Sequence, residues 1–572
     1  MNLRDRLALF ALALLLAVVG AAMLLPGSAD ESSPGPGRPT AVTYREAIFG
    51  HPSSINPLTA RTQVDRDLVA LLFRGLARLG PDGVLVPDLA RSWTVAEDGR
   101  SYTFYLGDDD RWEDGQPVTV DDVVFTVGLA SDPDYQGPLG AEWRGIEATV
   151  VSPHVVRIVL PAPMGGFLNL ATLPILPRHL LEDVAVTDMA DSSFSARPVG
   201  NGSFRLEEID VRHAVLTRVQ PETASPGATG ITGSATASAS ASIGPSATPG
   251  PGVARPVEVI ELTFFDTETE AATAFLAGDV DAVAGLRPGT VLSAAARPGA
   301  ELARYPWASM TAVVLNMRET YPEFSAKGVR RALLASIDRP AILTRILGGR
   351  GAVADAPLPP WSSWYDSEAI TAVPYAGVAA DSDLAAAGWV QGRDGWMLPG
   401  KDQAYVIRLL TLDDATNSAV YQVAQQVATD WRAMGLQVAV VPVSVGDYRE
   451  ALQSGQFQAA VEEYGLGLDP DVSPLLQTTQ IAPAGSNLSG ISDATLDRLL
   501  IAVNTTSDAK DRRTAVSELE SYITSNILML PICFTDYVFA VSGRVQGRVA
   551  TQIADPSDRY WDVLDWRLAS DG

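Results

Sequence analysis

DDDRWEDGQPVTVDDVVFTV, residues 108–127, decides how the fold is read, because its acids admit two opposite interpretations. Acids converging on one point would make a hard-metal or catalytic site. Acids distributed over a loop, a turn and a helix start would be scaffold. The residue order favours scaffold. Asp114-Gly115 followed by Pro117 has turn chemistry. Thr119 stands at an N-cap position with Asp122 three residues on, a capping-box variant. Asp121 and Asp122 fall in the first helical turn, where the helix dipole favours anions. Val120, Val123, Val124 and Val127 then form one apolar stripe. Just upstream, RSYTFYL (100–106) alternates, with Tyr102, Phe104 and Leu106 on one face of a half-buried strand. Asp108 to Asp110 fit an exposed loop.

Outward from this stretch, strands and helices mix. HVVRIVL (154–160), VEVIELTFF (257–265) and GLQVAVVPV (435–443) read as strands. AVYQVAQQVATDWRAMG (419–435) reads as a helix with Val420, Val423, Ala424, Val427 and Trp431 on one stripe, stopped near Gly435. Helices followed by apolar strands indicate α/β layers. Residues 221–256 are rich in Ser, Ala, Thr, Gly and Pro and cannot bury a core, so they read as a disordered surface loop.

The chain has 572 residues, 47% hydrophobic and 19% charged, enough for several packed cores. Its net charge of −26 argues against a nucleic-acid partner. A single cysteine, Cys533, excludes an internal disulfide and a thiolate zinc site. It lies in LMLPICFTDYVFA (528–540) and reads as a small buried hydrophobe. The histidines, at 51, 154, 179 and 213, are dispersed without metal-ligand spacing. Neither a metal nor another cofactor is expected. Leu7 to Leu25 is an uncharged apolar run after Arg4 and Arg6. It would span about 28 Å as a helix and suits an uncleaved anchor, or a signal cleaved after Ala29. Arg4 and Arg6 place the start of the chain inside the cell and the rest outside. Residues 30–42 read as a flexible tether.

The opening stretch also carries a resemblance. PDLARSWTVAEDGRSYTFYLGDDDRWEDGQPVTVDDVVFTV (87–127) resembles the signature of the family 5 extracellular solute-binding proteins, the peptide-binding proteins of bacterial ABC importers. RPVGNGSFRLEEID (197–210), AATAFLAGDVDAV (271–283), LNMRETYPEFSAKGVRRALLASIDRPAIL (315–343), DSDLAAAGW (381–389), LGLDPDVSPLLQT (466–478) and NLSGISDATLDRLL (487–500) follow in the family's order. The resemblance implies an α/β, periplasmic-binding-protein-like fold of class II type. In it two lobes flank a cleft and an extra domain is inserted in the N-terminal lobe. On that reading lobe I holds residues 43–86, 197–310 and 526–572, the inserted domain 87–196, and lobe III 311–525. The chain departs from the family at 221–256, where an aromatic-rich segment is usual, and in lacking a lipidated cysteine.

In relatives an acid of the segment like GLDPDVSP pairs with a peptide's α-ammonium. Asp469 matches that position and Asp471 is the second choice; an Asp-Pro turn would explain Asp469 equally. APLPPWSSWYD (356–366) is the second candidate. Its prolines stiffen the backbone and project Trp361, Trp364 and Tyr365, either as ligand walls or as pins onto their own lobe. Asn487 could donate to a ligand carboxylate or shape a turn. In KGVRRALLASIDR (327–339), Val329, Ala332, Leu333 and Ile337 are expected inward, and Lys327, Arg330 and Arg331 on a solvated face.

The expected function is delivery of a small solute, most simply a short peptide, to an ABC permease and its ATPase subunits by a monomer that performs no chemistry. A receptor for an oligosaccharide, a metal chelate or an opine-like compound is the alternative, with a surface-tethered adhesin or chaperone behind it. No Gly-x-Ser-x-Gly elbow and no His-Glu-x-x-His pattern supports an enzyme.

Overall fold

In the computed structural model, which describes residues 41–80, 83–219 and 254–569, the chain opens with a strand, β1 (Thr43–Phe49), and a helix, α1 (Gln63–Leu72). The expected anchor and tether (1–40) and residues 221–253 of the expected loop lie outside the described residues. Among the described residues no helix is long and apolar enough to cross a membrane.

The acidic stretch is scaffold. β2 (Ala90–Val95) and β3 (Ser101–Leu106) pair antiparallel, with Tyr102, Phe104 and Leu106 buried as the alternation requires. α2 (Val120–Ser131) starts where Thr119 caps it. The Asp122 carboxylate accepts from the Thr119 N–H (2.8 Å), the Thr119 hydroxyl (2.9 Å) and the Arg178 N–H (2.9 Å). Val120, Val123 and Val127 are buried beneath it. Asp110 pairs with Arg74 and Arg91, and Asp114 with His179, so the acids hold the domain together rather than converging on one point. β4 (Glu147–Ser152) and β5 (Val155–Val159) complete a four-stranded antiparallel sheet of order β2-β3-β5-β4.

The largest sheet has eleven strands, with three small sheets of two or three strands beside it. β6 (Phe204–Ile209) and β7 (His213–Arg218) lead to β8 (Val259–Phe265), which runs parallel to β1; α3 (Glu268–Ala277) then returns to β9 (Ala282–Ala284). β10 (Ala300–Leu315) crosses out of this half. On the far side come α4 (Lys327–Ala335), β11 (Gly351–Val353), β12 (Val406–Leu412), α5 (Ser418–Ala433), β13 (Gln437–Val443), β14 (Ala459–Gly465), α6 (Ala494–Thr505) and α7 (Ala509–Asn526). β15 (Leu530–Ser542) crosses back. The order is β13-β12-β14-β10-β15-β9-β1-β8-β7-β6, with β11 on β15. This is the two-lobed α/β architecture.

β10 and β15 belong to both halves. The first half of β10 pairs with the end of β15, beside β9; its second half pairs with the start of β15 and with β14. Their register slips between Pro306 and Ser309, midway along the pair. A bulge there bends and twists the ribbon where one lobe passes into the other.

Each half has its own core. Tyr44, Tyr305, Phe539 and Trp566 belong to one cluster; Val313, Leu333, Val427, Trp431 and Ile532 belong to another. Within the first, Arg559 is fully buried and pairs with Glu46 (2.9 Å) and Asp67 (2.6 Å), tying the C-terminal segment to β1 and α1. Cys533 is fully buried in β15, and burial pushes its thiol up to about 12.

Two expectations need correction. Arg330 is not on a solvated face. It is buried, and its guanidinium donates to the carbonyls of Phe324, Ser325, Asn526 and Ile527, which give four of its five N–H groups an acceptor. Lys327 and Arg331 are exposed as expected. Residues 255–256 are not loop: Arg255–Pro256 pairs antiparallel with Arg567–Leu568.

Candidate functional site

The floor between the lobes is made by the β10–β15 crossing. Trp307 stands edge-on to Tyr537, ring centroids 6.0 Å apart, and its indole N–H donates to the Ala554 carbonyl. Three residues farther along the crossing, Met310 and Phe534 are fully buried, with Trp361, Tyr464 and Leu466 packed partly buried against them. Trp361 meets Phe534 edge-to-face at 5.6 Å. Its indole N–H is buried and has no protein acceptor among the described residues. Leaving such a donor without an acceptor costs about 1–3 kcal/mol. Beside it, burial and then the Glu462 carboxylate hold the Tyr464 phenol well above its ordinary range. Burial pushes Glu462 itself up to about 7, although it accepts a hydrogen bond from Tyr448 at 2.7 Å.

The three aromatic residues of the 356–366 loop therefore separate. Only Trp361 reaches the crossing. Trp364 and Tyr365 pack against the cluster formed by α6 and α7, and Trp364 lies beneath the guanidinium groups of Arg512 (5.1 Å) and Arg513 (5.3 Å). These two rings pin the loop to its own lobe.

Asp469 already has partners within the chain. Arg512 meets it with two nitrogens (2.7 and 2.9 Å), the Asn169 amide donates at 3.0 Å, and the Asp471 N–H donates at 3.0 Å. Asp471 in turn accepts from the Ser473 N–H, as an Asx turn does. Asn487 is fully buried. Its amide donates to the Gln477 and Ile491 carbonyls and its carbonyl accepts from Ser489 and Gly490, so its hydrogen-bonding capacity is spent on its own loop. Sequence reasoning missed Arg512, which looks like one more surface charge in KDRRTAVSELES, and the Gly165-Gly166 pair that lets Asn169 come close.

Each histidine sits against an acid: His51 on Asp266, His154 on Asp108, His179 on Asp114 and His213 on Asp210. His213 also nears Glu208, an exposed cluster with metal-binding side chains. Asp210 there caps the turn N–H groups of Arg212 and His213, which accounts for its place.

With this geometry in hand, comparison with known proteins is specific. The model of the bacterial extracellular solute-binding proteins, family 5 middle region, matches residues 84–485. The oligopeptide-binding protein AppA of Bacillus subtilis is 23% identical over 472 residues, which cover 81% of this chain and 80% of that one. The structure of that AppA in complex with a nonapeptide superposes with a TM-score of 0.71 at 21% identity, covering 93% of this chain and all (100%) of the other. NikZ from Campylobacter jejuni in complex with Ni(L-His) superposes with a TM-score of 0.72 at 20% identity, covering 92% and 99% of the two chains.

Proposed function

The chain belongs to family 5 of the bacterial extracellular solute-binding proteins, and on that footing we propose that it captures short peptides between its lobes and delivers them to an ABC permease. The observation that carries the peptide reading is Trp361. Its free indole N–H, set among Met310, Phe534, Tyr464 and Leu466, suits a peptide carbonyl, while the apolar walls accept varied side chains. The peptide-binding names of relatives support the same class. Closure would follow from the peptide's higher affinity for the shut form. The protein works as a monomer outside the cell, held by residues 7–25 or released after Ala29.

A second reading, a metal chelate as solute, draws support from the neighbour holding Ni(L-His). Calorimetric titration of the full chain separates the two. Defined tri- to pentapeptides are expected to bind saturably, one per chain, with a negative heat-capacity change. Binding of Ni–histidine without any peptide binding would replace the peptide by the chelate.

A further inference from the structure

The loop PAPMGGFLNL (161–170) of the antiparallel-sheet domain reaches the other lobe. Phe167 holds it down: the ring is fully buried, 4.5 Å from Tyr102 and 6.2 Å from Trp143. From this anchored turn the Gly165 N–H donates to the Asn504 carbonyl at 2.5 Å, and the Asn169 amide donates to Asp469 Oδ2 at 3.0 Å. The receiving side is equally fixed. Arg512 grips both oxygens of Asp469 and donates from Nε to the Val503 carbonyl, and Asn504 donates to Ser473 Oγ.

The approach is close enough to require glycine. A Cβ at Gly166 would stand 2.6 Å from Asp469 Oδ2 and 2.8 Å from its Cγ. A Cβ at Gly165 would stand 2.5 Å from Arg512 Nε and 2.8 Å from the Thr506 carbonyl. Yet no apolar cluster spans this seam among the described residues. Tyr102, Trp143 and Phe167 belong to the first core, and Leu496, Leu499, Val516 and Leu519, with Trp364, to a separate one. A thin polar contact between independent cores is the kind that opens and closes.

We propose that Gly165, Gly166 and Asn169 form a latch that docks on the Asp469–Arg512 pair and sets how long the cleft stays shut. Asp469 is then part of the protein's own closure. Arg512 presents its carboxylate, and Asn169 reads it only when the lobes meet. The inference rests on the two-lobed fold and not on the identity of the solute.

The test is single-molecule energy transfer in the full chain, denatured to release co-purified solute and refolded, with none added back. Dyes go on Asp121→Cys and Ser454→Cys, both exposed positions, since the native Cys533 is fully buried. Asn169→Ala removes one bond to a carboxylate, and the closed-to-open ratio is expected to fall about tenfold or more. Gly166→Val and Asn169→Asp, which add a clash and a like charge, should lower it further. Gly128→Ala, with no neighbour within 4 Å, is the control and should match the parent. Melting midpoints report folding, and Asn169→Ala alters only an amide, so it decides the matter if Gly166→Val melts early. A closed population unchanged in Asn169→Ala and Asn169→Asp would overturn the latch.

Discussion

Arg512 meets Asp469 with both terminal nitrogens, Nη2 to Oδ1 at 2.7 Å and Nη1 to Oδ2 at 2.9 Å, and the two side chains are only 5% and 18% exposed. The acid that resembles the family's ammonium partner thus has a resident cation. This pair joins the first turn of α7, the 466–473 segment and the edge of the neighbouring domain. Removing the cation alone strands a mostly buried carboxylate. Arg512→Met is expected to cost about 2–3 kcal/mol, read from denaturant midpoints. Arg512→Lys should recover less than half of that, because lysine lacks the planar fork.

Trp361 and Trp364 should behave differently, although they stand three residues apart. Trp361→Phe keeps a smaller ring against Phe534 and removes the free N–H. Peptide affinity should fall about threefold to tenfold, with about 1 kcal/mol of stability lost to the smaller ring. Trp364→Phe, beneath Arg512 and Arg513, should leave affinity within twofold, on the order of the noise in such titrations. Equal losses at both positions would remove Trp361 from the site.

The Glu46–Arg559–Asp67 cluster makes a stability prediction free of any ligand. Arg559→Met leaves two carboxylates facing each other in a dry core, with Tyr560 donating to one of them at 2.9 Å. A loss of about 3–5 kcal/mol is expected in urea unfolding. The double change Glu46→Gln with Arg559→Met should cost less than Arg559→Met alone, since it also removes one stranded charge.

Glu520 predicts a pH dependence. It lies buried in α7, with Oε1 lacking a partner among the described residues and Oε2 accepting from the Asp366 N–H at 3.2 Å. Burial, and then the charge of Asp366, push its carboxyl from the ordinary 4.5 up to about 8. The native state therefore holds this proton more tightly than the unfolded chain. The stability it contributes is complete below about pH 4.5 and is lost as pH rises through about 8. Glu520→Gln should flatten the melting profile between those limits. An unchanged slope would show that the group titrates near its ordinary value.

The fold was legible where one period dominated. The valines after Thr119, the alternation in 100–106 and the stripe through Val420, Val427 and Trp431 all became the elements they announce. The arginines were not legible. Arg330 and Arg512 have the spacing of surface charges, but carbonyls from residues 324–325 and 526–527 enclose the first, and Asp469 the second. Periodicity reports which face a side chain occupies, not what the rest of the chain brings to it. The candidate site divides the same way. Aromatic residues after a proline run could be picked out at 361–365, yet only the tertiary arrangement separates Trp361 at the crossing from Trp364 and Tyr365 against α7.

On the proposed function the full chain holds a peptide between its lobes. Native mass spectrometry of the full chain purified from a bacterial host, followed by denaturation and sequencing of whatever is released, tests it most directly. Short peptides are expected, one per chain, and are expected to be lost from Trp361→Ala. A sugar or a metal chelate in their place, or peptides retained equally by Trp361→Ala, would contradict it.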